Sequence, residues 1–190
     1  GGLLARGHDS ADLMVADPSA DARGRLTSLP PANRVSTVGE LLGRVKPRVA
    51  LLAVKPCHMD GLLAELAEVS LAADTLIISI AAGIGTARIE RLGEGFAVVR
   101  AMPNTPALIG RGVTALAGGR WADAASMAVA EKIMAAVGEV LVVEERLMDA
   151  VTAVSGSGPA YVFHFIKALR EAGIREGLPK ETAHHLALST

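Results

Sequence analysis

Val49-Ala50-Leu51-Leu52-Ala53-Val54, the stretch Met59–Val69, and Thr75-Leu76-Ile77-Ile78-Ser79-Ile80 follow one another within residues 49–80, and their pattern decides the fold. The two outer runs are almost continuously apolar, as expected of strands whose two faces are both covered by helices. Between them, Leu62, Leu63, Leu66 and Val69 fall on one helical stripe. Strand, helix, strand in that order is a βαβ unit, which implies a parallel sheet.

The same alternation extends outward in both directions. Strands are expected at Leu13–Ala16, Ala97–Ala101, Val113–Ala117 and Glu139–Val143. A helix is expected over Trp121–Val137, where Met127, Ala130, Ile133, Met134 and Val137 share one face. After about Glu144 no strand pattern recurs. Helical stretches Arg146–Val154 and Pro159–Ala172 flank a Ser-Gly-Ser-Gly break, and a third starts near Pro179, a residue suited to a first helical turn. The expected organisation is an α/β unit, residues 1–144, followed by an all-helical unit, residues 145–190, the two packing directly because no Pro- or Ser-rich linker separates them. No internal repeat is present.

Val151–Leu169 is apolar nearly all round, through Val151, Val154, Tyr161, Val162, Phe163, Phe165, Ile166 and Leu169, so it requires burial on more than one side. Too little chain follows to cover it. A partner subunit or further residues must do so, and an intertwined oligomer is expected.

A chain of 190 residues with 51% hydrophobic and 21% charged residues buries a core without disulfides or a structural metal. Its 19 Lys+Arg against 20 Asp+Glu lack the footprint of a nucleic-acid binder. The single thiol, Cys57, fits a reducing compartment, so a cytoplasmic protein is expected. No segment has the length of apolar residues that a membrane span needs, and the start lacks the basic head and apolar run of a signal peptide. Gly1-Gly2-Leu3-Leu4-Ala5-Arg6-Gly7 reads as the last turn of a helix stopped by Gly7, so the chain is expected to begin inside an element.

Ligands of open parallel sheets bind at the carboxyl ends of the strands, and three of these exits are unusual. In Ala53-Val54-Lys55-Pro56, the proline keeps Lys55 extended and leaves backbone groups and an ammonium at the sheet edge; a simple strand stop explains the same pattern. In Ser79-Ile80-Ala81-Ala82-Gly83-Ile84-Gly85, small side chains let a cofactor ring, or a neighbouring helix, approach the backbone. In Arg100-Ala101-Met102-Pro103-Asn104-Thr105-Pro106, two prolines stiffen a loop whose tip, Asn104, carries amide donors and an acceptor. A fourth segment, Ser155-Gly156-Ser157-Gly158-Pro159-Ala160-Tyr161, combines hydroxyls with a helix start and suits an anionic group, or a close helix crossing. Asp17 ends the strand Leu13–Ala16, where dinucleotide folds place an acid on the adenosine ribose, although Asp-Pro is also a common turn. Asp17 would favour NAD; the nearby Arg23 and Arg25 argue for NADP. His8, His58, His164, His184, His185 and Cys57 lack metal-ligand spacing, so no metal is expected. Cys57 has no neighbour that would make it a nucleophile.

In their order, Ala53-Val54-Lys55-Pro56, Ser79-Ile80-Ala81-Ala82-Gly83, Arg100-Ala101-Met102-Pro103-Asn104-Thr105-Pro106 and Ser155-Gly156-Ser157-Gly158-Pro159-Ala160-Tyr161 resemble the pyrroline-5-carboxylate reductase family, and the likeness continues through Ala168–Gly173 and Gly177-Leu178-Pro179. The resemblance implies a Rossmann-type domain followed by a helical dimerisation domain, and reduction of 1-pyrroline-5-carboxylate to L-proline by hydride from NADPH or NADH in a homodimer, such dimers often assembling to a higher oligomer. It implies cofactor contacts at Ala53, Lys55, Pro56, Ala81 and Ala82, with Met102 and Asn104 near the nicotinamide end; the residue reading adds Asp17, Val54, Gly83 and Asn104 as cofactor-binding candidates and Met102, Asn104 and Ser155 as substrate-side positions. The family's glycine-rich turn would precede Gly1, and its substrate loop, with the proton donor, would follow Thr190. The chain alone is therefore expected to be inactive. A fragment that only dimerises, and a related dehydrogenase of another substrate, are the competing expectations.

Overall fold

The computed structural model describes residues 1–69 and 71–190. Strands β1 (Val15–Ala16) and β2 (Arg34–Val35) pair in parallel as a small sheet of their own. The main sheet has five strands side by side in chain order: β3 (Val49–Leu52), β4 (Leu76–Ser79), β5 (Val98–Met102), β6 (Gly112–Gly118) and β7 (Gly138–Val142). The strands expected from sequence are found within a residue or two, except that Leu13–Ala16 contracts to Val15–Ala16. Its partner β2 carried no pattern long enough to be read.

One expectation about the sheet is corrected. β3, β4 and β5 are parallel, but β6 runs antiparallel to β5 before β7 resumes the parallel relation with β6. The cause is loop length. A parallel return needs a crossover of about a dozen residues or more, and residues 103–111 are too few, whereas the β6–β7 connection holds a whole helix. A second correction concerns β3: Leu51 is 48% exposed, because α6 packs over β5, β6 and β7 and leaves that face of the edge strand β3 uncovered.

Helices α1 (Gly2–Ala5), α2 (Ala20–Arg25) and α3 (Val38–Leu42) accompany the small sheet and the chain start. Gly7, at φ +86°, follows α1 as the left-handed stop its sequence suggested. Helices α4 (Met59–Glu68) and α5 (Thr86–Ile89) cover one face of the main sheet, and α6 (Ala124–Met134) covers the other. Alternation along β4 and β5 divides the core accordingly. Ile77 and Val98 face Met59, Leu66 and Ile89, while Ile78, Val99 and Leu116 face Ala130 and Met134. Each of these large side chains, once fully buried, contributes roughly 1.5–3 kcal/mol. Asp123 caps α6, and the Ser126 backbone N–H, then the Ser126 hydroxyl, hold its carboxyl below the ordinary value.

Beyond β7 the described residues are helical. A 3₁₀ turn, Glu145–Leu147, leads into α7 (Met148–Val151), a π turn (Thr152–Gly156), α8 (Gly158–Arg175) and α9 (Lys180–Ser189). The Ser-Gly-Ser-Gly break is narrower than expected: the π turn runs through Gly156, and Ser157 alone separates it from α8. One extra residue is accommodated in the turn, and the Ser157 N–H donates to the Thr152 carbonyl, five residues back, at 2.9 Å. At the other end of α8, Gly177 takes φ +95°, and the N–H groups of Gly177 and Leu178 return to the carbonyls of Ile174 and Gly173. This Schellman closure turns α9 back onto α8.

Candidate active site

The exits of β3, β4 and β5 lie next to one another, because Leu52 pairs with Ser79 and Ser79 with Arg100. At the first exit, Lys55 is held extended at φ −63°, ψ 148°, and Pro56 opens the 3₁₀ turn that feeds α4. Ala53, Lys55 and Pro56 are exposed and Val54 is half-buried. At the second exit, the buried Ser79 hydroxyl accepts the Ala81 N–H at 3.3 Å, and the chain turns with Gly83 at φ +71°. A Cβ added at Gly83 would meet nothing within 4 Å, so open space lies over this turn. Ala81 is buried and Ala82 half-buried. Small side chains and open space at adjoining strand exits fit a flat ligand laid across them.

The third exit is bound to the helical segment. Asn104 is fixed by its own loop: its side-chain oxygen accepts the Val113 N–H at 2.9 Å, and its backbone carbonyl accepts the Ala107 N–H. The Asn104 amide is thereby turned to donate to the Ser155 hydroxyl at 3.3 Å. Beside this contact, Gly156 abuts Met102, whose terminal methyl would lie 2.6 Å from any Cβ at that position. The three residues expected on the substrate side, Met102, Asn104 and Ser155, are therefore brought together. Asp17 is elsewhere, at the carboxyl end of β1 on the small sheet.

Two further contacts tie the same helical segment to the sheet. Thr86, at the start of α5, donates its N–H to Glu145 Oε1 at 2.6 Å and its hydroxyl to Oε2 at 2.7 Å. Arg100, a buried guanidinium within β5, donates to Asp149 at 3.0 Å. Arg100 and Met102 share the sheet face toward α7, where Met148 packs on Ala115 and Ala117. Glu145, Asp149 and Ser155 thus grip three points of the α/β layer in succession. Sequence reasoning missed the first two. The signals were a charged residue inside an apolar strand, and two carboxylates four apart in a helical stretch.

The Thr86 clasp supports a prediction. Glu145→Ala leaves the buried Thr86 hydroxyl and its N–H without their acceptors, at a cost of roughly 1–3 kcal/mol. The urea midpoint is expected to fall with an unchanged slope.

Among the described residues no cluster of His, Cys, Asp and Glu could hold a metal ion, and no helix is long and apolar enough to cross a membrane.

A family model described as pyrroline-5-carboxylate reductase dimerisation matches residues 145–190. The pyrroline-5-carboxylate reductase of Synechocystis sp. is 44% identical over 94% of this chain and 66% of its own length. That of Pseudomonas aeruginosa is 41% identical over the whole chain and 69% of its own length. This chain therefore spans about two thirds of the length of such relatives. Among solved structures, a pyrroline-5-carboxylate reductase from Coxiella burnetii superposes with a TM-score of 0.82 at 37% identity, covering 98% of this chain and 69% of that one. A pyrroline carboxylate reductase from Plasmodium falciparum with NADP bound superposes with a TM-score of 0.84 at 29% identity, over 98% and 68% of the two chains. Prephenate dehydrogenase from Aquifex aeolicus, at 16% identity and a TM-score of 0.60 over 87% of this chain and 63% of that one, shares the fold alone. With relatives at this identity over its whole length, the chain belongs to the pyrroline-5-carboxylate reductase family.

Proposed function

We propose that the protein carrying this chain reduces 1-pyrroline-5-carboxylate to L-proline with NADPH or NADH, in the cytoplasm and as a homodimer. The Asn104–Ser155 contact carries this reading, since it closes the exit of β5 onto the helical segment in a chain of this family. Residues 1–144 form the dinucleotide-binding unit and residues 145–190 the start of the dimerisation and substrate unit.

The strand-exit geometry supports the following division of labour. Ala53, Val54, Lys55 and Pro56 at one exit, and Ala81, Ala82 and Gly83 at the next, offer backbone and open space to the dinucleotide, with the Lys55 ammonium exposed beside it. Asp17 serves the adenosine end. Met102, pressed by Gly156, presents an apolar surface that excludes water, while Asn104 and Ser155 supply donors and an acceptor at the substrate side. When bound, the reduced nicotinamide supplies the hydride that the imine carbon accepts. The protein's contribution is orientation: holding both reactants within contact distance removes much of the entropic barrier. Pyrroline-5-carboxylate-dependent loss of NADPH or NADH absorbance by the purified full-length protein is expected. Its absence with both nucleotides would overturn the proposal.

The dimer rests on α8. Tyr161, Val162, Phe163 and Phe165 are 56–65% exposed in the single chain, more apolar surface than a helix leaves to water. A second copy of the same helical unit is the occupant proposed here. Phe165→Glu would place an unpaired charge in that contact and is expected to weaken the dimer at least about a hundredfold, read as a shift to monomer mass by light scattering.

A further inference from the structure

We infer that Arg100 is a positioning residue for the substrate side, acting through Asp149 on the Ser155 hydroxyl; the inference rests on the reading of Met102, Asn104 and Ser155 given above. In β5, Arg100 lies two residues before Met102 on the same sheet face, with Ser79 and Ala117 as its neighbours in β4 and β6. Its guanidinium donates to Asp149 Oδ1 at 3.0 Å. The burial of the pair is lopsided. The Arg100 side chain is 7% exposed and that of Asp149 85%, so the arginine is the fixed post and the aspartate the arm that docks on it.

Such a pair is poorly placed to hold the fold together. An ion pair with one partner in water contributes little, and a buried guanidinium costs desolvation, so an apolar side chain of similar length at position 100 is expected to fold as well. What the pair does fix is the rotation of α7. Met148 is fully buried on Ala117 and Ala115, the register partners of Arg100 and Met102. The adjacent Met148 and Asp149 thus pin α7 at two points, one apolar and one charged, and the helix resists turning about its axis. Beyond them the chain is stiff: the Thr152 hydroxyl donates to the Met148 carbonyl at 2.8 Å, and the Ser157 N–H to the Thr152 carbonyl at 2.9 Å. The orientation of α7 is therefore carried through the π turn to Ser155. There the hydroxyl meets the Asn104 amide at 3.3 Å, a contact long enough that a small rotation breaks it.

Steady-state kinetics of the full-length protein with 1-pyrroline-5-carboxylate, beside direct titration with NADPH and NADH and urea unfolding, test this on Arg100→Met, Asp149→Ala and the double variant. Arg100→Met is expected to lower kcat/KM for the imine at least about tenfold, with dinucleotide affinity within about twofold of the parent and a similar urea midpoint. A merely structural role would instead lower the urea midpoint and leave the kinetics of the folded fraction unchanged. Asp149→Ala removes a solvent-exposed side chain, leaves no cavity, and is expected to lower kcat/KM to a similar extent; it decides the matter should Arg100→Met fail to fold. The double variant is expected to be no worse than the poorer single one, because both changes break the same contact. Parent-like kcat/KM in Arg100→Met or in Asp149→Ala, additive losses in the double variant, or a loss of dinucleotide affinity equal to the loss in kcat/KM overturns the inference alone. Absence of imine-dependent oxidation of either dinucleotide by the unaltered protein overturns the substrate reading and the inference with it.

Discussion

Gly138→Ala is expected to destabilise the fold by about 3 kcal/mol or more, a large share of the total stability of a domain of this size. Gly138 opens β7 at φ +150°, outside the range that L side chains readily adopt. It pairs directly with Gly112, and a Cβ would fall 1.9 Å from the Gly112 carbonyl oxygen. The obstacle is backbone, so no rotamer change relieves it. Relief requires β7 to move off β6, and slippage by one residue would turn its side chains to the opposite face. Urea unfolding would show a much lower midpoint or no cooperative transition. A midpoint within experimental error of the parent would show that β6 and β7 separate freely, contrary to the structure.

Asn104→Ala is expected to lower kcat/KM by about a hundredfold, because the loop after Met102 loses both its anchor on Val113 and its contact with Ser155, and displacements near 1 Å at a hydride-transfer site have effects of this order. The same change leaves the Val113 N–H without an acceptor and lowers stability by roughly 1–3 kcal/mol. Asn104→Asp separates the two effects. A carboxylate still accepts the Val113 N–H, so stability is expected within about 1 kcal/mol of the parent, while the donation to Ser155 is lost and activity falls. Full activity in both variants would remove Asn104 from the site.

The elements most legible in sequence were those whose periodicity was set by burial on a strand or helix face. Val98 and Val99 face opposite layers because successive strand residues do, and Met127, Ala130, Ile133 and Met134 mark one side of α6 for the same reason. The strand-exit motifs were legible too, since Pro56, Gly83 and Pro103 restrict or free the backbone wherever they occur. By contrast, β2 is too short for any period to register, and the antiparallel β6 shows the same alternation as a parallel strand.

Amino-acid order by itself determined the alternation of elements, the exits and their small residues, the apolar α8 and the family, all of which depend on local backbone preference and on which side chains leave water. Only the tertiary structure decided that Glu145 clasps Thr86, that Asp149 holds the buried Arg100, that Asn104 meets Ser155, and that Arg23 is spent on the carbonyl of Asp17. Those contacts join residues that are up to 59 positions apart, except the last. The physical reason is that a hydrogen bond depends on position to within a few tenths of an ångström. That precision comes from how the sheet and helices pack, not from any residue's own preference.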